Sequence, residues 1–281
     1  MNNQREKIKL KFKNELSDFI KEMKDYISKD NQWVIKGFID IHKNIFTITT
    51  DTKIVSKILE IHLLPRISYF ADSKNYELIL AKEQNYYPDM TFQHKIDKEI
   101  MFAVDFKTTY RKPENNDFCN GFTLGSHGAY FIERDKKKNI QFPYNNYWGH
   151  FCFGIIYSRN DDDKISELVK YDFTNLEKIP SVAKNFELFI AEKWKIASDK
   201  SGSGNTANIG STKKISDILS EKGIFTQYKN GESMFDEYWQ NYGKEFWINT
   251  GSDNKKKIKI TSLKIYEEYI EHLKSFDKFA R

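Results

Sequence analysis

Cys119 and Cys152 are the only cysteines in 281 residues, too few and too far apart for a disulfide scaffold or a structural zinc site. Both read as buried, reduced thiols. Histidine is scarce as well: His42, His62, His94, His127, His150 and His272 show no paired metal-ligand spacing such as His-x-x-x-His, so nothing points to zinc. No run approaches the ~20 apolar residues of a membrane span, and the charged N-terminus lacks a signal-peptide core. A soluble, cytoplasmic protein with no membrane association is expected. No internal repeat is visible, and neither charge sign dominates: 45 Lys and Arg against 40 Asp and Glu leave a net +5, compatible with a polyanionic partner without identifying one.

What is present is a chain rich enough in aromatic (15%) and hydrophobic (39%) residues to build a sizeable core. From Gln4 to about Ile27, apolar residues recur at helical spacing (Leu16, Phe19, Ile20, Met23, Tyr26, Ile27) between lysines and glutamates. This amphipathic helix needs a partner for its stripe, either the domain's own core or a second subunit. Trp33 to Ile41 and Ile45 to Thr49 read as short strands, and Thr50 or Asp51 can cap a helix from Thr52 onward with Ile54, Val55, Ile58 and Leu59 inward. Pro65 is expected to kink or end it. Glu60 lies beside that stripe, on the residues alone an ordinary exposed glutamate. Further on, a loop is expected over 112–120, a strand covered on both faces over 151–157, and helices around 185–196, 234–242 and 266–276.

The densest chemistry lies between Pro88 and Lys107, where Pro88-Asp89 is followed after fifteen residues by Asp105-Phe106-Lys107. Strand periodicity puts Phe102, Val104 and Phe106 on one face and Ala103, Asp105 and Lys107 on the other. Tyr76 to Leu80 reads as a neighbouring strand, and a short strand over 90–92 can form a hairpin with the one starting near Ile100, which returns Asp89 to the neighbourhood of Asp105. Two carboxylates and a lysine on one sheet edge are what metal-assisted phosphodiester hydrolysis needs. The same spacing also fits a turn aspartate after proline and the solvated face of an edge strand.

The one glycine-rich stretch runs from Ser201 to Ser211. It lacks the Gly-Lys-Ser/Thr ending of a phosphate-binding P-loop, and its Asn, Thr and Ile are poor choices for a mere spacer. A third reading is a loop that reads base edges: glycines let the backbone approach, and asparagine offers the bidentate amide that matches adenine in the major groove. Lys136-Lys137-Lys138 fits a solvated turn better than a DNA patch.

Several segments together resemble the EcoRV-like type II restriction endonucleases of the PD-(D/E)xK nuclease superfamily. They are Asp51-Thr52-Lys53 with Glu60, Gln84-Asn85-Tyr86-Tyr87-Pro88-Asp89, Asp105-Phe106-Lys107-Thr108-Thr109-Tyr110, Phe122-Thr123-Leu124-Gly125, Lys193-Trp194, Gly202-Ser203-Gly204-Asn205-Thr206, Asn208-Ile209-Gly210-Ser211, Lys222-Gly223-Ile224-Phe225 and Tyr238-Trp239. They fall in the family's order from about Trp33 to Tyr242. The resemblance implies an α/β fold, a mixed central sheet flanked by helices, as a single nuclease domain over 1–281. Its N-terminal helix (about 4–27) would lie at the dimer side, its DNA-reading loop at 201–211, and its C-terminal tail, 243–281, would be divergent.

By the same resemblance Asp89 and Asp105 would bind Mg²⁺ and the scissile phosphate, Glu60 would be an accessory metal-site acid, and Lys107 would orient or activate the attacking water. Gly202, Ser203, Gly204, Asn205 and Thr206 would face base edges, Gln84 and Asn85 the minor-groove side, and Thr52, Thr108, Thr109, Thr123 and Asn208 phosphates or nearby DNA. Implied partners are double-stranded DNA, a second copy of the chain as homodimer, and a companion DNA methyltransferase that protects the host's own sites. The Gly-Ser-Gly-Asn-Thr segment is identical to the family's, which implies the palindrome GATATC cut centrally to blunt ends. Glu83 departs from the family's glutamine and puts an anion near the DNA. The alternatives are a nuclease-fold module that binds DNA without cutting and a structure-specific repair nuclease; competent residues at all four catalytic positions disfavour the first.

Overall fold

The structure is a computed structural model that describes residues 2–83, 85–160, 169–202, 207–249 and 255–279. At its centre stand five strands: β1 (Tyr76–Leu80), β2 (Met90–His94), β3 (Met101–Lys112), β4 (Gly149–Arg159) and β5 (Ala183–Glu192). In spatial order the sheet runs Ser28–Lys29, Gln32–Trp33, β5, β4, β3, β2, β1, with Asn115–Cys119 paired to the far end of β3. Only β3 and β4 run parallel; the other pairings are antiparallel. The result is the mixed sheet expected from the resemblance.

Alternation along β3 and β4 splits the interior into two cores. Phe102, Val104 and Phe106 with Phe151, Phe153 and Ile155 face α1 (Asn2–Ile27) and α2 (Thr52–Ser73). Met101, Ala103, Cys152 and Ile156 face an aromatic layer that includes Tyr87, Tyr130, Tyr144, Tyr238 and Trp239. The stripe of α1 is spent on its own domain: Phe12, Leu16, Ile20, Met23 and Ile27 are buried, and Phe12 stacks on Phe102 at 4.1 Å. Burying each such side chain contributes roughly 1.5–3 kcal/mol. Gly154 marks the tightest approach within the sheet, since a Cβ there would fall 2.0 Å from the Phe189 ring.

Four local expectations need correction. Pro65 does not end α2, which runs on to Ser73. The carbonyl that proline orphans belongs to Ile61, on the solvent side of the helix (61% exposed), while Leu59, Leu63, Ile67 and Phe70 hold the inner side against the sheet. The helix expected over 185–196 is the strand β5 followed by one short turn, Lys193–Ile196, because pairing with β4 from Phe151–Glu192 to Arg159–Ala183 overrides the local helical spacing. Within 112–120, Asn115–Cys119 extends the sheet instead of forming an open loop. Trp33 to Ile41 is not one strand: Gln32–Trp33 joins the central sheet and Gly37–Ile39 a separate small one.

Candidate active site

Register brings the two acids together. Met90 pairs with Val104 across the β2–β3 ladder, so one step before β2 Asp89 lies beside Asp105. The Phe106 backbone N–H donates to Asp89 Oδ2 at 2.8 Å, and the Asp89 N–H points to Asp105 Oδ1 at 3.4 Å. Lys107, two residues along the same strand face, places its Nζ 2.7 Å from Asp105 Oδ2 and 3.5 Å from Asp89 Oδ2. All three side chains keep partial access to solvent, Asp89 the most at 34%.

The charges in this cluster are unequal. Burial and the negative charge of Asp105 push Asp89 up to about 7, against the pull of Lys107. Burial also works to raise Asp105, but the Lys107 ammonium and its hydrogen bond hold it below the ordinary carboxylate range. Lys107 itself is held above its usual value, burial being outweighed by the two carboxylates. A carboxylate kept half-protonated near neutrality by a neighbouring carboxylate is a site short of positive charge.

That shortage tests whether a divalent cation fits. The donors are hard carboxylate oxygens, and Mg²⁺ is commonly held by one or two carboxylates together with water and substrate phosphate. Asp89 and Asp105 meet that requirement. Among the described residues no three His, Cys, Asp or Glu side chains cluster closely enough to hold one ion. Glu60 does not form such a cluster with the pair; its Oε1 accepts from Lys57 Nζ at 2.7 Å.

Asp89, Lys107 and Glu60 line one groove of about 1010 Å³, together with Thr52, Lys53, Thr108 and Thr123. Of the residues expected to meet DNA, Thr52, Thr108 and Thr123 are thus on the groove wall. Asp51, not Thr50, caps the helix that starts there, accepting from the N–H groups of Lys53 and Ile54. Thr109 is buried (5% exposed) on the opposite strand face from Thr108, away from open surface. Asn85 is exposed, as is Glu83 on the groove wall. Asn208 begins the strand Asn208–Ser211, pairs with Ser126 and accepts from the Gly202 N–H at 2.9 Å through its carbonyl. Gly202 lies so close to this strand that a Cβ would come 3.0 Å from Gly210 Cα. Gln84 and Ser203, Gly204, Asn205 and Thr206 lie outside the described residues.

A second layer behind the acids was not singled out as functional by sequence reasoning. Tyr87 anchors the Pro88-Asp89 segment: its N–H donates to the Asn139 carbonyl, its own carbonyl accepts from the Gln141 N–H, and its hydroxyl lies 2.9 Å from His150 Nδ1. Against its ring sits Lys193, 4% exposed. The signals for this layer were Tyr87 and the Lys193-Trp194 pair among the ordered segments, neither given a role there.

Comparison with known proteins bears on the whole chain. Residues 29–271 match the family model described as restriction endonuclease EcoRV. Over 227 residues the chain is 35% identical to the type II restriction enzyme EcoRV of Escherichia coli, covering 80% of this chain and 88% of that protein.

Proposed function

The chain belongs to the EcoRV family of restriction endonucleases and is a type II deoxyribonuclease, and from that premise we propose that it cuts both strands of duplex DNA at the centre of GATATC, using Mg²⁺ held by Asp89 and Asp105. One observation carries the assignment of the chemistry: Asp89, Asp105 and Lys107 meet at the strand edge where β3 opens into the groove.

Each residue has a distinct task in this reading. Asp89 and Asp105 would hold the cation beside the scissile phosphate. A divalent cation there supplies Lewis acidity, drawing charge from the phosphate oxygens. Lys107, tethered between both carboxylates, aligns the attacking water and offsets the charge that develops in the transition state. Glu60, which lines the same groove, acts as an accessory acid, its Lys57 partner being exposed and free to let go.

Thr52, Thr108 and Thr123 hold DNA phosphates along the groove, with Thr109 supporting the strand from its buried side. Gly202, Ser203, Gly204, Asn205 and Thr206 read the major groove, Asn208 steadies the base of that loop, and Gln84 and Asn85 approach from the minor groove. The protein works as a homodimer, because two-fold symmetry reads a palindrome most economically. Phe38 (60% exposed) and Ile39 (51% exposed) offer apolar surface for the contact, to which α1 can bring only its mainly charged outer face. It acts in the cytoplasm beside a methyltransferase that protects host sites; no described helix is long and apolar enough to cross a membrane.

Digesting a plasmid of known sequence with and without Mg²⁺ and mapping the ends tests the proposal. Blunt ends at GATATC, dependent on Mg²⁺, support it. Cutting at another palindrome would remove the specificity, and binding without cutting would favour a recognition module.

A further inference from the structure

Lys193 is a buried ammonium without a hydrogen-bond partner among the described residues. Its Nζ has no acceptor among the described residues, and the residue is 4% exposed. What surrounds it is aromatic: the ring centres of Tyr87, Phe131 and Tyr144 lie 4.9, 5.4 and 5.8 Å from Nζ. Such a cage softens the loss of hydration but does not replace it. A methionine would fill the same space at no such cost.

The charge has a target. Burial lowers the Lys193 ammonium to about 8, and Asp105 is the foremost attraction opposing that loss, ahead of Asp236, while Lys107 and Arg134 add to it by repulsion. In return Lys193 is among the charges that hold Asp105 ionised. Tyr87 supplies the mechanical link, since one face of its ring meets the ammonium and the next two residues are Pro88 and Asp89. The ring cannot move freely: Tyr130 stacks on it at 5.2 Å and 9°, and Gln141 Nε2 donates to the Pro88 carbonyl at 2.6 Å.

We propose that Lys193 is a positioning residue whose buried, unpaired charge balances the Asp89–Asp105 pair from behind and sets how tightly that pair holds a divalent cation. This inference rests on reading the pair as the cation site. With Lys107 in front and Lys193 behind, two ammonium groups face two carboxylates, one of which, Asp89, is half-protonated near pH 7, so the site carries no net negative charge before DNA and metal arrive. Cation affinity is then moderate by construction. Removing Lys193's charge leaves a net negative site, and because a field acts twice as strongly on a divalent ion as on a unit charge, binding should tighten by roughly tenfold.

Calorimetric titration of the DNA-free full chain with Mg²⁺ tests this, on the unsubstituted protein and on Lys193→Met, Lys193→Arg and Asp105→Asn. The expected result is tighter binding in Lys193→Met, unchanged affinity in Lys193→Arg, and loss of binding in Asp105→Asn. A residue that only packs the cage would, when replaced, loosen the site and weaken binding, so the sign separates field from packing. Equal or weaker binding in Lys193→Met overturns the role of Lys193 and leaves the cation site standing. No binding by the unsubstituted protein, or full binding by Asp105→Asn, overturns the cation site and this inference with it. If Lys193→Met does not fold, Lys193→Gln, with similar length and no charge, carries the same expectation.

Discussion

Cation binding at the Asp89–Asp105 pair should expel a proton, and the number released follows from the structure. Burial and the adjacent Asp105 carboxylate push Asp89 up to about 7. Below that pH the metal-free site therefore carries a proton that a cation must displace. At pH 6 about 0.9 of a proton is released per ion bound, at pH 7 about half, and at pH 8 about 0.1. Apparent affinity should accordingly weaken roughly tenfold between pH 7.5 and pH 6 and level off above pH 8. The sign also fixes the effect on folding: a carboxyl raised in the native state binds more protons there than when unfolded, so its contribution to stability is full below about pH 4 and is lost progressively as pH rises through 7. Calorimetry in two buffers of different ionisation enthalpy counts the protons directly. Release of none at pH 6, or an affinity flat from pH 6 to pH 8, would refute the charge assignment within the pair.

Three further outcomes concern the scaffold. Phe12→Ala removes a ring stacked on Phe102 between α1 and the sheet and should cost about 3–5 kcal/mol in urea unfolding; a loss below 1 kcal/mol would mean the helix is not integral to the core. Gly154→Ala forces a methyl into the Phe189 ring and should destabilise by about 1–3 kcal/mol, read as a lowered Tm. Asp51→Ala frees two helix-end N–H groups and should cost about 1 kcal/mol. Its cleavage rate should fall as well, because that helix end carries Thr52 into the groove; an unchanged rate would detach Thr52 from DNA contact.

The acids and their lysine were legible because strand alternation is strict: once 100–108 is a strand, Asp105 and Lys107 must share a face, and a hairpin from Met90 must return Asp89 to them. Glu60 was legible only through resemblance, since helical spacing places it beside the buried stripe in an ordinary surface position. Lys193 was not legible as functional at all. A lysine between Glu192 and Trp194 reads as exposed, and only the convergence of Tyr87, Phe131 and Tyr144, distant in sequence, encloses it. The misread helix over 185–196 has the same origin. Phe186, Phe189 and Ile190 satisfy a helical stripe locally, and the choice of strand is made by β4, more than 25 residues earlier.

The most direct test of the central claim is cleavage of a duplex containing one GATATC site by the unsubstituted protein and by Asp105→Ala, in Mg²⁺, with both strands' ends mapped. The account predicts a blunt central cut by the former and none by the latter, with Asp105→Ala still binding the duplex. Cleavage that survives in Asp105→Ala would contradict it.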